Sequence, residues 1–143
     1  MTLGPAIPAL PTADMARSLQ CYRERLGFVV LHEEPSFAVV SREDCVLNLW
    51  LADDLSWRSR GGVDTRPVRS GAESFLAGTA SCRIRVSDES ALTDLYHELV
   101  NAAVLHPASA RDVSTTDFGD RELHASDPDG NLLTFFWRSN AGR

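Results

Sequence analysis

The sequence repeats one order of predicted elements at a separation of 74 residues. Asp14 and Asp88 each precede apolar residues at helical spacing, and an aspartate suits an N-cap because its carboxylate accepts from the free amides of the first turn. The same separation aligns two further identical pairs, Tyr22 with Tyr96 and Glu24 with Glu98. The shared order, caps and aromatic position indicate an internal duplication, which restricts the chain to folds built from two similar modules.

The first copy predicts the order β-α-β-β-β. An apolar run over residues 6–11 precedes a helix whose apolar stripe extends from Met15 to Leu26. Gly27 then suits the position just after a helix, where a left-handed conformation is common. Three runs rich in β-branched and aromatic residues predict the following strands, at residues 28–31, 37–40 and 46–51.

The second copy predicts the same order with one weaker strand. A strand over residues 80–86 precedes the second helix, and an extended segment begins near residues 104–106. Two strands at 121–126 and 131–137 are joined by Asp-Pro-Asp-Gly, a sequence typical of tight turns. We expect a single domain over residues 1–143, with module one at about 4–51 and module two at about 79–138. The polar segment 52–78 between them is either a loop that covers a cleft or a simple linker.

The composition limits the partners. A net charge of −6 argues against nucleic acid, whose phosphates require a clustered basic face, and slightly favours a cationic ligand. No segment approaches the roughly 20 apolar residues of a membrane span, and the first residues lack the basic start of a signal peptide. The three widely spaced cysteines match no disulfide framework or metal motif. We therefore expect a cytoplasmic protein that binds neither nucleic acid nor membrane.

Two short signatures connect the duplication to a known fold. Residues 25–28 read Arg-Leu-Gly-Phe at the end of the first helix, and residues 127–131 read Asp-Pro-Asp-Gly-Asn before the last strand. Together with the paired modules, they resemble the vicinal oxygen chelate superfamily, which includes glyoxalase I, extradiol dioxygenases, fosfomycin-resistance enzymes and bleomycin-resistance proteins. The resemblance implies an α+β fold in which two βαβββ modules form a curved eight-stranded sheet around a ligand cleft. It also implies a homodimer.

The resemblance also bears on metal binding. Enzymes of the superfamily hold a divalent metal at fixed positions on the first strand of each module and on the last strand. Those positions are Ile7, Ser81 and Thr134 here, and none supplies the His or carboxylate donor that such a metal requires. The resemblance thus implies no metal, no cofactor and no catalytic residue. It favours the bleomycin-resistance proteins, whose first strand begins Ala-x-Pro-x-Leu, as residues 6–10 do.

Alternation along the strands predicts which side chains face the cleft, because successive residues of a strand point to opposite faces. The counting starts from the superfamily's ligand positions, and Phe118 is added because it lies where bleomycin-resistance proteins have a loop lining the drug crevice. The predicted ligand-binding residues are Phe37, Asn48, Trp50, Arg83, Arg85, Phe118, Glu122, His124 and Phe136. Alternatively, Phe37 and Trp50 close one end of the sheet as part of the core.

Two functions remain open on the sequence. The first is a metal-free binding protein of the bleomycin-resistance type that sequesters an aromatic or peptide-like antibiotic, for which Phe37, Trp50 and Phe118 supply flat apolar walls. The second is a glyoxalase- or dioxygenase-like enzyme acting on a small aromatic or acidic substrate. Such an enzyme would use a shifted metal site, or metal-free acid–base chemistry at His124 and Glu122.

The charge of the small-molecule ligand also remains open. The acidic net charge and the resemblance favour a cation. Arg83 and Arg85 on the counted face favour an anion, because guanidinium groups match the oxygens of carboxylates and phosphates. A cationic ligand would require them to be neutralised by Glu122 or by another acid. Alternatively, the two arginines are structural and pair with acids across the sheet or at a subunit contact.

Overall fold

The computed structural model describes residues 1–52, 72, 76–109 and 111–139. Each module contains one helix and four strands in the predicted order. Module one comprises β1 (Ala9–Thr12), α1 (Met15–Glu24), β2 (Val29–Glu33), β3 (Phe37–Arg42) and β4 (Cys45–Leu51). Module two comprises β5 (Ser81–Arg85), α2 (Glu89–Asn101), a 3₁₀ turn (Pro107–Ser109), β6 (Ser114–Thr115), β7 (Asp120–Ser126) and β8 (Leu132–Arg138). Most of the predicted 52–78 loop lies outside the described residues.

The strands form two four-stranded sheets with the same topology. The first has the order β1-β4-β3-β2 and the second the order β5-β8-β7-β6. In both sheets the first strand of the module pairs in parallel with the last, and the other neighbours are antiparallel. The two βαβββ modules are confirmed. The single eight-stranded sheet is corrected to two separate sheets, which do not close on each other.

The predicted helix signals are confirmed at atomic level. The Asp14 carboxylate accepts from the Arg17 amide at 3.0 Å, and Asp88 accepts from the Ala91 amide at 2.8 Å. Gly27 has φ +74°, and a Cβ at that position would come within 2.7 Å of Arg42 Nη1. A side chain there would therefore meet both backbone strain and a steric clash.

Two edge strands differ from the prediction. β1 begins at Ala9, so Ile7 precedes it and is exposed. The extended segment near residue 104 is reduced to a single bridge between Leu105 and Ala125. The outer strand of the second sheet is instead Ser114–Thr115, a polar pair with no apolar alternation, which is defined as a strand by its pairing with β7.

The core lies between the helices and one face of each sheet. Its members come from alternate strand positions and from the apolar stripes of α1 and α2, and they include Leu19, Tyr22, Leu47, Leu49, Leu92, Leu99, Leu123 and Leu133. The opposite face of each sheet therefore remains for the positions that alternation assigned to ligand binding. In the described part of the chain, neither helix is long and apolar enough to cross a membrane.

The tight turn between β7 and β8 joins the two modules. The Asp129 carboxylate accepts from Arg17 Nη2 at 2.8 Å and from Thr12 Oγ1 at 2.9 Å, and both donors belong to module one. The side-chain amide of Asn131 donates to the Pro11 carbonyl at 2.7 Å. Gly130 closes the turn at φ +96°. This turn therefore fixes the end of β1 as well as its own hairpin.

Candidate functional site

The outer face of the first sheet carries an aromatic pair. Phe37 on β3 lies opposite Trp50 on β4, and their ring centroids are 4.5 Å apart at an interplanar angle of 40°. Asn48 lies on the same face opposite Val39, whereas the intervening Leu47 and Leu49 are buried in the core. Phe37, Asn48 and Trp50 are all half-buried. The predicted face is therefore present, with an apolar platform beside one amide group.

The outer face of the second sheet carries a compensated charge network. Arg83 Nη1 donates to Glu122 at 3.0 Å, and Arg83 Nη2 donates to Asp120 at 3.2 Å. Asp120 is fully buried and also accepts from Arg138 Nη2 at 2.7 Å. The guanidinium carbon of Arg83 lies 4.5 Å from the ring centroid of Phe136. The positive charge of Arg83 is thus offset by two carboxylates of the protein itself.

Glu122 also contacts the predicted histidine. His124 Nε2 lies 3.3 Å from Glu122 Oε1, and His124 Nδ1 lies 2.9 Å from the Thr134 hydroxyl. If the Thr134 hydroxyl donates to Nδ1, then Nε2–H donates to Glu122 and the network is internally satisfied. Both oxygens of Glu122 therefore have a protein partner. The arrangement orients the imidazole, and it leaves the carboxylate less available as a general base.

The remaining predicted residues lie at the margins of the second module. Arg85 is exposed at the end of β5, opposite Phe136 on β8. Phe118 is 67% exposed and lies in the β6–β7 connection, next to Gly119 at φ +90°. Among the described residues, no ring contact joins Phe118 to the pair on the first sheet. One chain therefore brings together two of the three predicted aromatic walls.

Sequence reasoning missed Asp120, the most buried acid of this face. Asp120 lies one residue before the predicted strand and shares its face with Glu122, two positions later. The same alternation would have assigned it to the face had the strand been extended by one residue. Its burial depends on Arg83 and Arg138, which only the tertiary structure brings to it.

The positions that hold a metal in related enzymes do not fit one here. Ile7 is aliphatic, exposed and outside β1, and Ser81 is an exposed alcohol. Thr134 is buried, and its hydroxyl contacts His124. No group of three His, Cys, Asp or Glu side chains able to hold a metal ion occurs in the described ranges. Alcohols and an alkyl group are poor ligands for the divalent metals that such enzymes use.

Two cavities in the described part of the chain involve few of the predicted residues. One of about 380 Å³ lies between the β3–β4 turn and the start of α2, over Phe28, Ile84 and Phe135. Another of about 510 Å³ lies between α1 and residues 103–107. Of the predicted ligand-binding residues, only Arg85 lines either cavity.

Paired βαβββ modules, with an aromatic and charged outer surface and no fitting metal-ligand set, define a two-module protein of the vicinal-oxygen-chelate type. The chain matches the family model of the Glyoxalase/Bleomycin resistance protein/Dioxygenase superfamily over residues 5–135. It belongs to this superfamily.

The chain is similar to one curated protein family in sequence and to several solved structures in fold. The chain is 41% identical over 131 residues to a bleomycin resistance protein from Geobacillus stearothermophilus, covering 92% of this chain and 94% of the relative. A crystal structure of a bleomycin-binding protein complexed with bleomycin is similar with a TM-score of 0.66 at 21% identity, covering 96% of this chain and all of that one. A lactoylglutathione lyase from Agrobacterium tumefaciens has a TM-score of 0.71 at 13% identity, covering 99% and 98%. At these identities the two structures support the fold alone.

Proposed function

We propose that this protein binds bleomycin or a closely related antibiotic and sequesters it without chemical conversion. The observation that carries the proposal is the 41% identity to a bleomycin resistance protein over nearly the full length of both chains. The adjacent Phe37 and Trp50 rings, tilted by 40° to each other, supply an aromatic surface for a planar group. An aromatic contact between a ligand and such a ring contributes about 0.5–1.5 kcal/mol beyond simple burial.

The charge network supports a cationic ligand over an anionic one. The positive charge of Arg83, which would attract an anion, is offset by the carboxylates of Asp120 and Glu122, to which its guanidinium donates. Because opposite charges lie within hydrogen-bonding distance, this part of the face does not repel a cation as two isolated arginines would.

We propose that binding is independent of metal. The donor chemistry at Ile7, Ser81 and Thr134 supports this. Elemental analysis of protein purified without chelator is expected to find no stoichiometric Zn, Mn, Fe or Ni. One equivalent of transition metal per chain, removed by chelator together with ligand binding, would overturn this part of the proposal.

We also propose a cytoplasmic homodimer in which each cleft combines the first sheet of one subunit with the second sheet of the other. The aromatic pair and the charge network lie on separate sheets, so one chain presents two open halves. Val29 and Leu31 on the outer strand β2 are more than half exposed, as expected for an apolar edge that a partner covers. A sedimentation mass equal to one chain at micromolar concentration would contradict the dimer.

Calorimetric titration of the purified chain with metal-free bleomycin tests the main proposal. We expect saturable binding, and we expect Trp50→Ala to weaken it by about tenfold or more through loss of stacking and burial. His97→Ala is the control, because it removes an exposed ring from α2, a helix that packs on β7 and β8 of the second sheet. The absence of binding by the wild-type chain would overturn the proposed function.

The enzymatic alternative rests on the 3.3 Å contact between His124 and Glu122. Mass spectrometry of the antibiotic recovered from the complex distinguishes the two functions. Sequestration predicts a ligand of unchanged mass, whereas a modified product that disappears in His124→Ala would establish catalysis.

A further inference from the structure

A β-bulge in β2 changes the face on which His32 lies. Val30 pairs with Val40, and the next pair is His32 with Val39. Leu31, between Val30 and His32, therefore has no partner in β3 and is the extra residue of the bulge. Val40 is buried in the core, whereas Val39 shares the outer face with Asn48. Regular alternation would turn His32 towards the core side. The bulge instead places it on the outer face, and bulges commonly redirect a side chain in this way near binding sites.

His32 thereby extends the aromatic pair into a row of three rings. Its ring centroid lies 5.8 Å from that of Phe37, which in turn lies 4.5 Å from Trp50. Glu34, at the start of the β2–β3 turn, places its carboxylate 3.5 Å from His32 Nε2. The platform therefore ends in an imidazole with an acidic group beside it.

This end of the platform is exposed, and its contacts contribute little to stability. The side chains of His32 and Glu34 are 52% and 56% exposed. Charged contacts at such exposure contribute little to stability, and less at high salt. An exposed imidazole and carboxylate beside two half-buried rings remain accessible to a ligand that lies on those rings.

The second module contains the same tripeptide in a different role. Val-Leu-His occurs at residues 30–32 and again at 104–106, in keeping with the 74-residue repeat. His106 Nδ1 accepts from the Ala108 amide at 3.1 Å, so this imidazole stabilises the 3₁₀ turn. His32 makes its side-chain contacts with Phe37 and Glu34 instead. The two copies have thus diverged in what the histidine contacts.

We propose that His32 and Glu34 form a specificity-determining end of the binding surface, which selects planar ligands carrying a positive charge beside the planar part. A flat group on Phe37 and Trp50 that extends beyond Phe37 lies next to the imidazole. A cation attached to it comes close to the Glu34 carboxylate and to the faces of the aromatic rings, both of which attract positive charge. This inference rests on the proposed function and adds the basis of its selectivity.

Two congeners that differ in one charge test the inference on the full chain. Bleomycin A2 carries a dimethylsulfonium group on its terminal amine, and demethylbleomycin A2 carries the neutral thioether. We expect the wild-type chain to bind the sulfonium form more tightly. We expect Glu34→Gln to reduce that preference by roughly threefold to fivefold without weakening the thioether form, consistent with one exposed charge pair.

Matched variants separate a role in selectivity from a role in folding. Glu33→Gln makes the same charge change one residue earlier, at a position opposite the buried Ala38, and is expected to leave the preference unchanged. His32→Ala is expected to weaken both congeners, and His32→Phe to restore the neutral one. The inference would be overturned if the wild type and Glu34→Gln showed the same preference between the two congeners. That result would leave the proposed function intact. Binding of neither congener by the wild type would overturn the proposed function, and this inference with it.

Discussion

The hydroxyl of Tyr22 on α1 donates to the Asp127 carboxylate of the β7–β8 turn at 3.1 Å, and this contact joins the two modules. Both residues are buried. Asp127 also accepts from the Asn131 side chain at 2.8 Å and from the amides of Asp129 and Asn131. Burial nevertheless raises the pKa of Asp127, since these four donors offset only part of the cost of removing the carboxylate from water.

Replacing Asp127 by Ala is expected to destabilise the protein by roughly 2–4 kcal/mol. The change removes hydrogen bonds to a charged group and leaves buried donors, including the Tyr22 hydroxyl, without an acceptor. Urea unfolding followed by circular dichroism measures the difference. Asp117→Ala, in an exposed loop, is the control and should shift the unfolding midpoint little.

Alkaline stability should depend on Tyr22. Burial, followed by the adjacent Asp127 carboxylate, raises the pKa of Tyr22 well above its usual value. The unfolded chain releases this proton near pH 10 and the folded chain retains it. The contribution of the protonated Tyr22 to the free energy of unfolding is therefore fully present below about pH 10. It is lost as the pH rises above that value, by up to about 1.4 kcal/mol per pH unit.

Urea unfolding between pH 8 and 11 should show this loss in the wild type. In Tyr22→Phe, the part of this decrease in the free energy of unfolding with pH that is due to Tyr22 should disappear. The substitution also lowers stability by about 1 kcal/mol near neutrality, because a hydrogen bond is lost. Equal slopes for the two proteins would contradict the assignment.

Cys82 is expected to react slowly with alkylating reagents. Burial, and then the neighbouring Cys45 and Asp127, raise the pKa of Cys82 to about 12, and the thiolate is the reactive form. In a Cys21→Ser/Cys45→Ser variant, iodoacetamide at pH 8 should modify Cys82 at least about tenfold more slowly than in the urea-unfolded chain. Equal rates with and without urea would contradict burial of this thiol.

Removing Arg83 should leave bleomycin binding intact or improve it. In Arg83→Ala the Glu122 carboxylate loses its guanidinium partner and becomes more available to a cationic ligand, while Asp120 keeps Arg138. Arg121→Ala is a matched control, because Arg121 pairs with Glu89 from the opposite face of β7. An affinity loss of about 1.5–3 kcal/mol in Arg83→Ala alone would favour an anionic ligand instead.

Much of the fold could be predicted because its signals are local. The caps at Asp14 and Asp88 and the glycine turns depend on a few neighbouring residues, and alternation assigned the outer faces of β4, β5 and β8 correctly. β6 could not be predicted, since Ser114–Thr115 lacks an apolar pattern and becomes a strand only by pairing with β7. The separation into two sheets likewise depends on long-range pairing.

The sequence predicted which strand faces carry the candidate site, but it predicted less of the contacts between the side chains on them. Counting along strands cannot detect a bulge, because the extra residue is defined by the partner strand. His32 also lay just beyond the strand predicted over residues 28–31, so alternation did not assign it to a face. The sequence left open whether Arg83 pairs with Glu122 or another acid, because such partners lie far along the chain. The structure pairs it with Asp120 and Glu122, which follow 37 and 39 positions later. The roles of the nine predicted residues in ligand binding remain predictions.

The contacts of Asp129 have a consequence for the order of folding during synthesis. The end of β1 and the first turn of α1 receive hydrogen-bond partners from Asp129, and Thr12 and Asp129 are separated by 117 residues. A nascent first module leaves the ribosome with the Thr12 hydroxyl and the Ala13 amide still lacking this carboxylate. Its final set of contacts forms only once the last hairpin has been translated, so the amino-terminal half completes its structure after the carboxy-terminal half emerges.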